Sequence, residues 1–188
     1  MNKQIFLVMM WLAVSAVSAS AAAQVLTVEG NVQYRLPSEI QWQGLRAGLE
    51  LPAGTVIVSG IGSVATVELG EARVSVTPLS RLEIASFERQ AQQDETALRL
   101  PYGRLQASVR RSGNRGTQFR VESPVSTAAV RGTEFGYDGH SLSVLKGDVA
   151  FSNLVGQEHS VRAGQLSRTW GHDPIESVEG TLEQRLNF

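Results

Sequence analysis

The chain contains no cysteine, which excludes disulfide staples, a thiol nucleophile and thiolate metal ligands. Lysine is nearly absent as well. Lys3 and Lys146 are the two lysines and every other basic residue is arginine. Arginine's planar fork favours fixed contacts to carbonyls and carboxylates; a compositional bias of the host accounts for the pattern equally well. The formal net charge is −1, so no strongly charged partner is announced. His140, His159 and His172 match no compact metal spacing. No G-x-S-x-G elbow occurs, and no serine pairs with a histidine in a recognisable pattern. Gly60-Ile61-Gly62 resembles the start of a dinucleotide fingerprint, but it opens a strand-like Val64-Ala65-Thr66-Val67 rather than the helix such a site needs. It therefore reads as a β-turn. Asp94-Glu95 sits in a polar stretch, Gln90 to Thr96, expected to be an exposed loop with solvated charge. These absences predict no catalytic residue, no cofactor site and no metal site. A hydrolase whose carboxylates meet only on folding is the residual enzymatic class.

A long apolar run is missing too. Ile5 to Val17 is apolar but shorter than the ~20 residues that span a bilayer. With Lys3 before it and Ala21-Ala22-Ala23 after it, the segment reads as a signal peptide over residues 1–23. An uncleaved anchor is the alternative, and no membrane span is expected after cleavage. The predicted location is periplasmic or secreted. Arg110, Arg111 and Arg115 form the one basic patch. In an exported chain it reads as a solvated loop, or a contact to phosphate-bearing lipid or glycan, and no nucleic-acid partner is expected.

From Val25 onward the period is two, with β-branched residues bounded by glycine or proline. LELPAGTV (49–56), LRLPYGRL (98–105) and LSVLKGDV (142–149) superimpose as strand, glycine corner, strand, and VLTVEGNV (25–32) fits more loosely. Their unequal offsets exclude a strict tandem array. VTPLSRLEI (76–84) echoes ESPVSTAAV (122–130), and Pro78 and Pro124 belong at strand ends because proline cannot donate to a ladder. Asp138-Gly139 is the clearest hairpin turn. The prediction is an all-β domain over 24–170, a single rolled β-sandwich or β-helix-like unit of many short strands with glycine corners. A tail follows over 171–188, with one marginal helix near 181–186.

AAVRGTEFGY (128–137) is the unusual stretch. Thr133, Phe135 and Tyr137 share one face of a strand. Arg131 precedes them, beside a glycine that lets another backbone approach. A buried unpaired guanidinium costs several kcal/mol, so the head of Arg131 must reach water or satisfy carbonyls or a carboxylate; a structural clamp is the expectation, and a ligand contact the alternative.

Val121-Glu122-Ser123-Pro124 followed by Val130-Arg131-Gly132-Thr133-Glu134-Phe135 resembles the signature of the FecR domain. Gln41-Trp42, the Leu49 to Ile57 segment, Val144 to Val149 and Val161 to Gln165 are similar to other parts of that domain, with Ser123 standing where threonine is usual. The resemblance implies a periplasmic, all-β, non-enzymatic module. In the best-known members it is the extracytoplasmic part of a transmembrane anti-sigma regulator that relays a signal from a TonB-dependent transporter. Here a signal peptide stands in place of the cytoplasmic sigma-binding domain, so direct anti-sigma activity is not carried over. On this reading Pro124, Val130, Arg131, Gly132, Thr133, Phe135 and Gly147 are structural signature residues. The expected function is protein interaction or sensing in the cell envelope, with an envelope protein as partner. The alternative is a module binding cell-wall glycan or exopolysaccharide, for which Trp42 and Trp170 are the candidate ligand platform.

Overall fold

The computed structural model describes residues 22–89, 93–111 and 116–179. The signal-peptide expectation therefore falls almost wholly outside the described residues, and the helix expected near 181–186 falls wholly outside them. Period-two alternation becomes strand after strand, with one side chain in two buried. The elements are β1 (Ala23–Glu29), β2 (Val32–Arg35), β3 (Gln43–Gly44), β4 (Glu50–Leu51), β5 (Val56–Ser59) and β6 (Val64–Leu69). They continue as β7 (Ala72–Val76), β8 (Arg81–Arg89), β9 (Gln93–Tyr102), β10 (Leu105–Val109), β11 (Gly116–Glu122) and β12 (Ser126–Val130). The last six are β13 (Glu134–Tyr137), β14 (Ser141–Lys146), β15 (Asp148–Asn153), β16 (Glu158–Arg162), β17 (Gln165–Arg168) and β18 (Glu176–Glu179).

These strands form two sheets, ordered β18-β17-β14-β13-β10-β7-β6-β1-β4 and β16-β15-β12-β11-β9-β8-β5-β2-β3. Both orders run the same way along the chain. β1, β4 and β5 visit their sheets singly; from β6 on, hairpins are laid alternately on one sheet and the other, so the sandwich lengthens steadily to β18. A single strand, β10, interrupts this alternation; the chain visits the first sheet once and returns as β11 parallel to β9. The fold is all-β and consistent with a β-sandwich. The inward faces make one core, with cross-sheet aromatic contacts of Phe119 on Phe135 at 6.2 Å and Tyr137 on Phe151 at 6.4 Å.

Every crossing between sheets that is described in full turns on a residue with positive φ, and all but Leu79 are glycines. Gly30, Gly54, Gly103 and Gly147, the four expected corners, are among them. At Gly103 two constraints coincide: φ is 92°, and a Cβ would overlap Ser80.

The repeated Pro motif explains that closeness. In Thr77-Pro78-Leu79-Ser80, both hydroxyls donate to one carbonyl at the next corner, Thr77 Oγ1 to Arg104 O at 2.9 Å and Ser80 Oγ to Arg104 O at 3.0 Å. In Ser123-Pro124-Val125-Ser126 the same two positions donate to Gly139 O, at 2.8 and 2.6 Å. The first motif crosses between sheets and the second closes a hairpin within one, yet each catches a carbonyl with two hydroxyls. Both prolines lie off the ladders. The Asp138-Gly139 turn forms as expected, with Asp138 Oδ1 accepting from the amides of His140 and Ser141.

Two expectations are corrected. In the described part of the stretch 90–96 there is no exposed loop: Gln93–Thr96 belongs to β9, paired to β8, and Asp94 and Thr96 are buried. A register shift between Ile84 and Ser86 breaks the alternation and turns Phe87 into the core, which the polar composition conceals. Within the basic loop expected over 110–117, β11 already begins at Gly116. The tail opens with a strand, because β18 pairs with β17 from Gln165↔Glu179 to Arg168↔Glu176.

Removing either clamp hydroxyl leaves a partner short of a hydrogen bond. Ser80→Ala and Ser126→Ala should each cost about 1–3 kcal/mol in chemical denaturation. Gly103→Ala, adding left-handed strain to steric overlap, should cost about 2–5 kcal/mol. Losses below about 0.5 kcal/mol for both Ser80→Ala and Ser126→Ala would contradict the clamp.

Candidate interaction surface

At the opposite rim from the clamps, the chain crosses from β12 to β13 through Arg131, Gly132 and Thr133. Val130 ends β12 in the core, Thr133 is buried, and Phe135 and Tyr137 carry the next turns of β13 inward. Val109 N donates to Thr133 O at 2.8 Å. Gly132 has φ 75°, and a Cβ there would run into the side chain of Arg111. A Cβ on Gly147, at the β14–β15 corner, would meet Gly132 O and Thr133 Cγ2. The signature glycines thus hold two corners back to back.

Arg131 does not clamp its neighbours with its guanidinium. Its side chain is exposed, and among the described residues it makes no hydrogen bond or ion pair. The direction is reversed: Arg131 contributes its carbonyl, which accepts from Arg111 Nε at 3.2 Å. The burial argument assumed that the arginine followed the strand inward. The crossing instead turns it outward, where solvation removes the need for a partner.

That outward side chain lines a groove of about 360 Å³ on the exposed face of the second sheet, across β9, β11 and β12. Glu95, Ala97, Gln118, Arg120 and Ala129 shape the groove with Arg131. Ala97 and Ala129 are the register partners of Arg120 on its two sides, so small side chains leave the depression and the charged ones rim it. Arg120 is held by Glu122 at 2.9 Å, and Glu122 by Arg99 at 4.0 Å, which in turn meets Glu83 at 3.3 Å. Chemically the groove offers guanidinium donors, one carboxylate and the amides of Gln93 and Gln118 over a shallow apolar floor. That suits the backbone and side-chain carbonyls or carboxylates of an extended segment. Among the described residues no cluster of three His, Cys, Asp or Glu could hold a metal ion.

The two tryptophans are not brought together. Trp42, 38% exposed, precedes β3 at one end of the second sheet, with the guanidinium carbons of Arg35 and Arg81 at 5.2 and 5.8 Å. Trp170, 63% exposed, lies between β17 and β18 at the other end of the first sheet, against His140 at 4.7 Å. Strand order separates them, so they cannot form one platform. Trp170 does border a cleft of about 280 Å³ with Arg168, Asp173 and Glu176.

Burial pushes the Tyr137 phenol up to about 12, above its ordinary 10.0. Its hydroxyl donates to Ser126 O at 2.9 Å, tying the core to the second clamp. With the folded-state value raised, this contribution is intact below pH 10 and lost as pH climbs from 10 toward 12. Tyr137→Phe should therefore flatten the alkaline fall in unfolding free energy by about 2 kcal/mol, read from urea titrations at pH 9 and 11.5. A second contrast tests the corner: Arg131→Ala should stay within about 0.5 kcal/mol of wild type, whereas Gly132→Ala should cost about 2–5 kcal/mol. A large loss with Arg131→Ala would restore the clamp.

The comparisons with known proteins agree with this architecture. Two crystal structures of a candidate anti-sigma factor from Parabacteroides distasonis share the fold, with TM-scores of 0.54 and 0.53 at 14% identity. Each match covers 66% of this chain and 59% of the other, so the chain spans about three fifths of their length. No curated protein matches. Among the described residues no helix is long and apolar enough to cross a membrane. The family profile for FecR protein matches residues 55–150, from the start of β5 into β15 and including both clamps and the Val130–Phe135 crossing; the chain belongs to the FecR family.

Proposed function

We propose that this chain is an exported, non-enzymatic FecR-like module that binds a protein in the cell envelope, and that it is not itself an anti-sigma factor. The observation that carries the reading is Arg131. The signature arginine is held by a rigid corner, yet its guanidinium lies free of described partners in a groove. A fold that needed it only for stability would use it inward. The leader reading supports export, and we place its end at Ala21 rather than Ala23. Ala23 is fully buried in β1 and pairs with Leu51, so removal after Ala21 keeps the strand whole where removal after Ala23 would trim it.

A photo-crosslinking residue in place of Gln118, in protein directed to the envelope, tests the proposal. A discrete protein adduct should form and should fall at least about tenfold when Arg131→Glu reverses the groove charge, without loss of melting temperature. The intact mass of the recovered protein should begin at Ala22. No adduct, or one indifferent to Arg131→Glu, would remove the reading.

The glycan alternative retains one observation, the exposed Trp170 beside a cleft with Arg168, Asp173 and Glu176. It predicts cosedimentation with isolated sacculi that Trp170→Ala abolishes; protein left in the supernatant would rule it out.

A further inference from the structure

Among the described residues each sheet ends in strands paired on one side only: β18 and β4 in the first sheet, β16 and β3 in the second. β3 and β4 are two residues each, too short to template another chain. β16 has five residues, pairs with β15 without a register break, and is preceded by an exposed run from Leu154. An uncovered edge of this length offers a row of backbone donors and acceptors to another strand.

Which groups face outward follows from the ladder. Asn153 N donates to Gln157 O and Ala163 N to Gly147 O, both at 3.0 Å. Odd-numbered residues of this segment therefore face β15, and alternation turns the N–H and C=O of Glu158, Ser160 and Arg162 toward the free edge. Their side chains share the outer face of the sheet, since Val161 between them is buried in the core.

The sequence Glu158-His159-Ser160-Val161-Arg162 is self-complementary in antiparallel pairing. Centred on Ser160, two copies place Glu158 of each directly opposite Arg162 of the other, and Ser160 opposite Ser160. A shift of two residues breaks both ion pairs. Arg162 N is already bound by Gln165 Oε1 at 3.0 Å, which leaves four interchain hydrogen bonds: Ser160 N–H to Ser160 C=O in both directions, and Glu158 N–H to Arg162 C=O in both directions. The other edge of useful length, β18, reads Glu176-Ser177-Val178-Glu179 and would oppose glutamate to glutamate. At the same end of the sandwich, Val178 is 53% exposed although it shares a face with buried Leu166, so the interior layer is incompletely covered there.

We propose that β16 is a homodimer interface, pairing two copies of this chain about a two-fold axis at Ser160 into one continuous sheet. The occupant is a second copy because the edge carries its own complement: isologous contact demands self-complementarity, and charge supplies it at β16 and denies it at β18. This contact is at the free edge of the same sheet, two strands from β12, and its argument makes no use of the partner proposed for the Arg131 groove.

The absence of cysteine makes a direct test simple. In a hydrogen-bonded antiparallel pair the Cα atoms lie about 5.5 Å apart, inside the range a disulfide bridges. Ser160→Cys in the purified exported chain should crosslink under mild oxidant at least about tenfold faster than Ser38→Cys, an exposed control. Sedimentation velocity over a concentration series should show a reversible dimer. Glu158→Arg sets like charges opposite each other twice and should weaken that dimer about tenfold or more. The double exchange Glu158→Arg with Arg162→Glu should restore it, with melting temperatures of all variants close to wild type. A chain monomeric at every concentration would overturn the proposal. So would a dimer indifferent to Glu158→Arg, or one that the double exchange fails to rescue.

Discussion

A backbone carbonyl caught between two hydroxyls is the contact on which the sandwich turns. A chain that changes sheets or closes a hairpin must lift its backbone out of the ladders, and at each such turn carbonyls lose their strand partners. Left buried and unbonded, such groups cost as much as a lost hydrogen bond. Thr77 with Ser80, and Ser123 with Ser126, satisfy Arg104 O and Gly139 O from the neighbouring turn. Arg104 then reaches Asp138 at 3.9 Å, which links one clamp to the other. Nearer the start of the chain, Ser63 Oγ accepts from Asn31 N, and Ser59 Oγ donates to Thr77 O. Toward its end, Thr169 N donates to His140 O. The rim is thereby stitched turn to turn, without covalent staples.

The proline of each clamp has a complementary part. It removes a donor where no ladder exists to receive it, and it fixes one φ of the turn, which sets the two flanking hydroxyls at a spacing that brackets one acceptor. The close approach this demands is why Gly103 and Gly139 lie against Ser80 and Ser123. The signature resemblance at 121–135 thus reduces to geometry: a hydroxyl pair, a proline, and glycines that keep side chains out of the way.

Features fixed by local backbone conformation were legible in the sequence. The four glycine corners and the Asp138-Gly139 turn need positive φ or an Asx-type acceptor, and few residues supply these. The echo of Thr77-Pro78-Leu79-Ser80 in Ser123-Pro124-Val125-Ser126 was visible as well, although its shared carbonyl acceptor was not. Features set by distant pairing stayed hidden. Asp94 reads as a solvated acid until β8 and β9 close over it, and the shift near Ser86 has no local signature. Arg131 was misjudged because the direction of a side chain at a crossing depends on which sheet the chain leaves. Trp42 and Trp170 could be named as exposed aromatics, but only the strand order shows that they lie at opposite ends.

Because hairpins are added alternately to two sheets, almost every strand pairs with neighbours close to it in sequence. Such an arrangement is close to one-dimensional, as in repeat proteins, even though no repeat unit recurs. The matched family segment, 55–150, occupies its middle. β1 to β4 and β16 to β18 therefore lie as extensions at the two extremities, and with them come Trp42, Trp170 and the charged β16 edge. Length can change there by a whole hairpin without disturbing a single interior crossing. The middle of the molecule is bound by its own stitching; its ends are where one such protein is free to become different from the next.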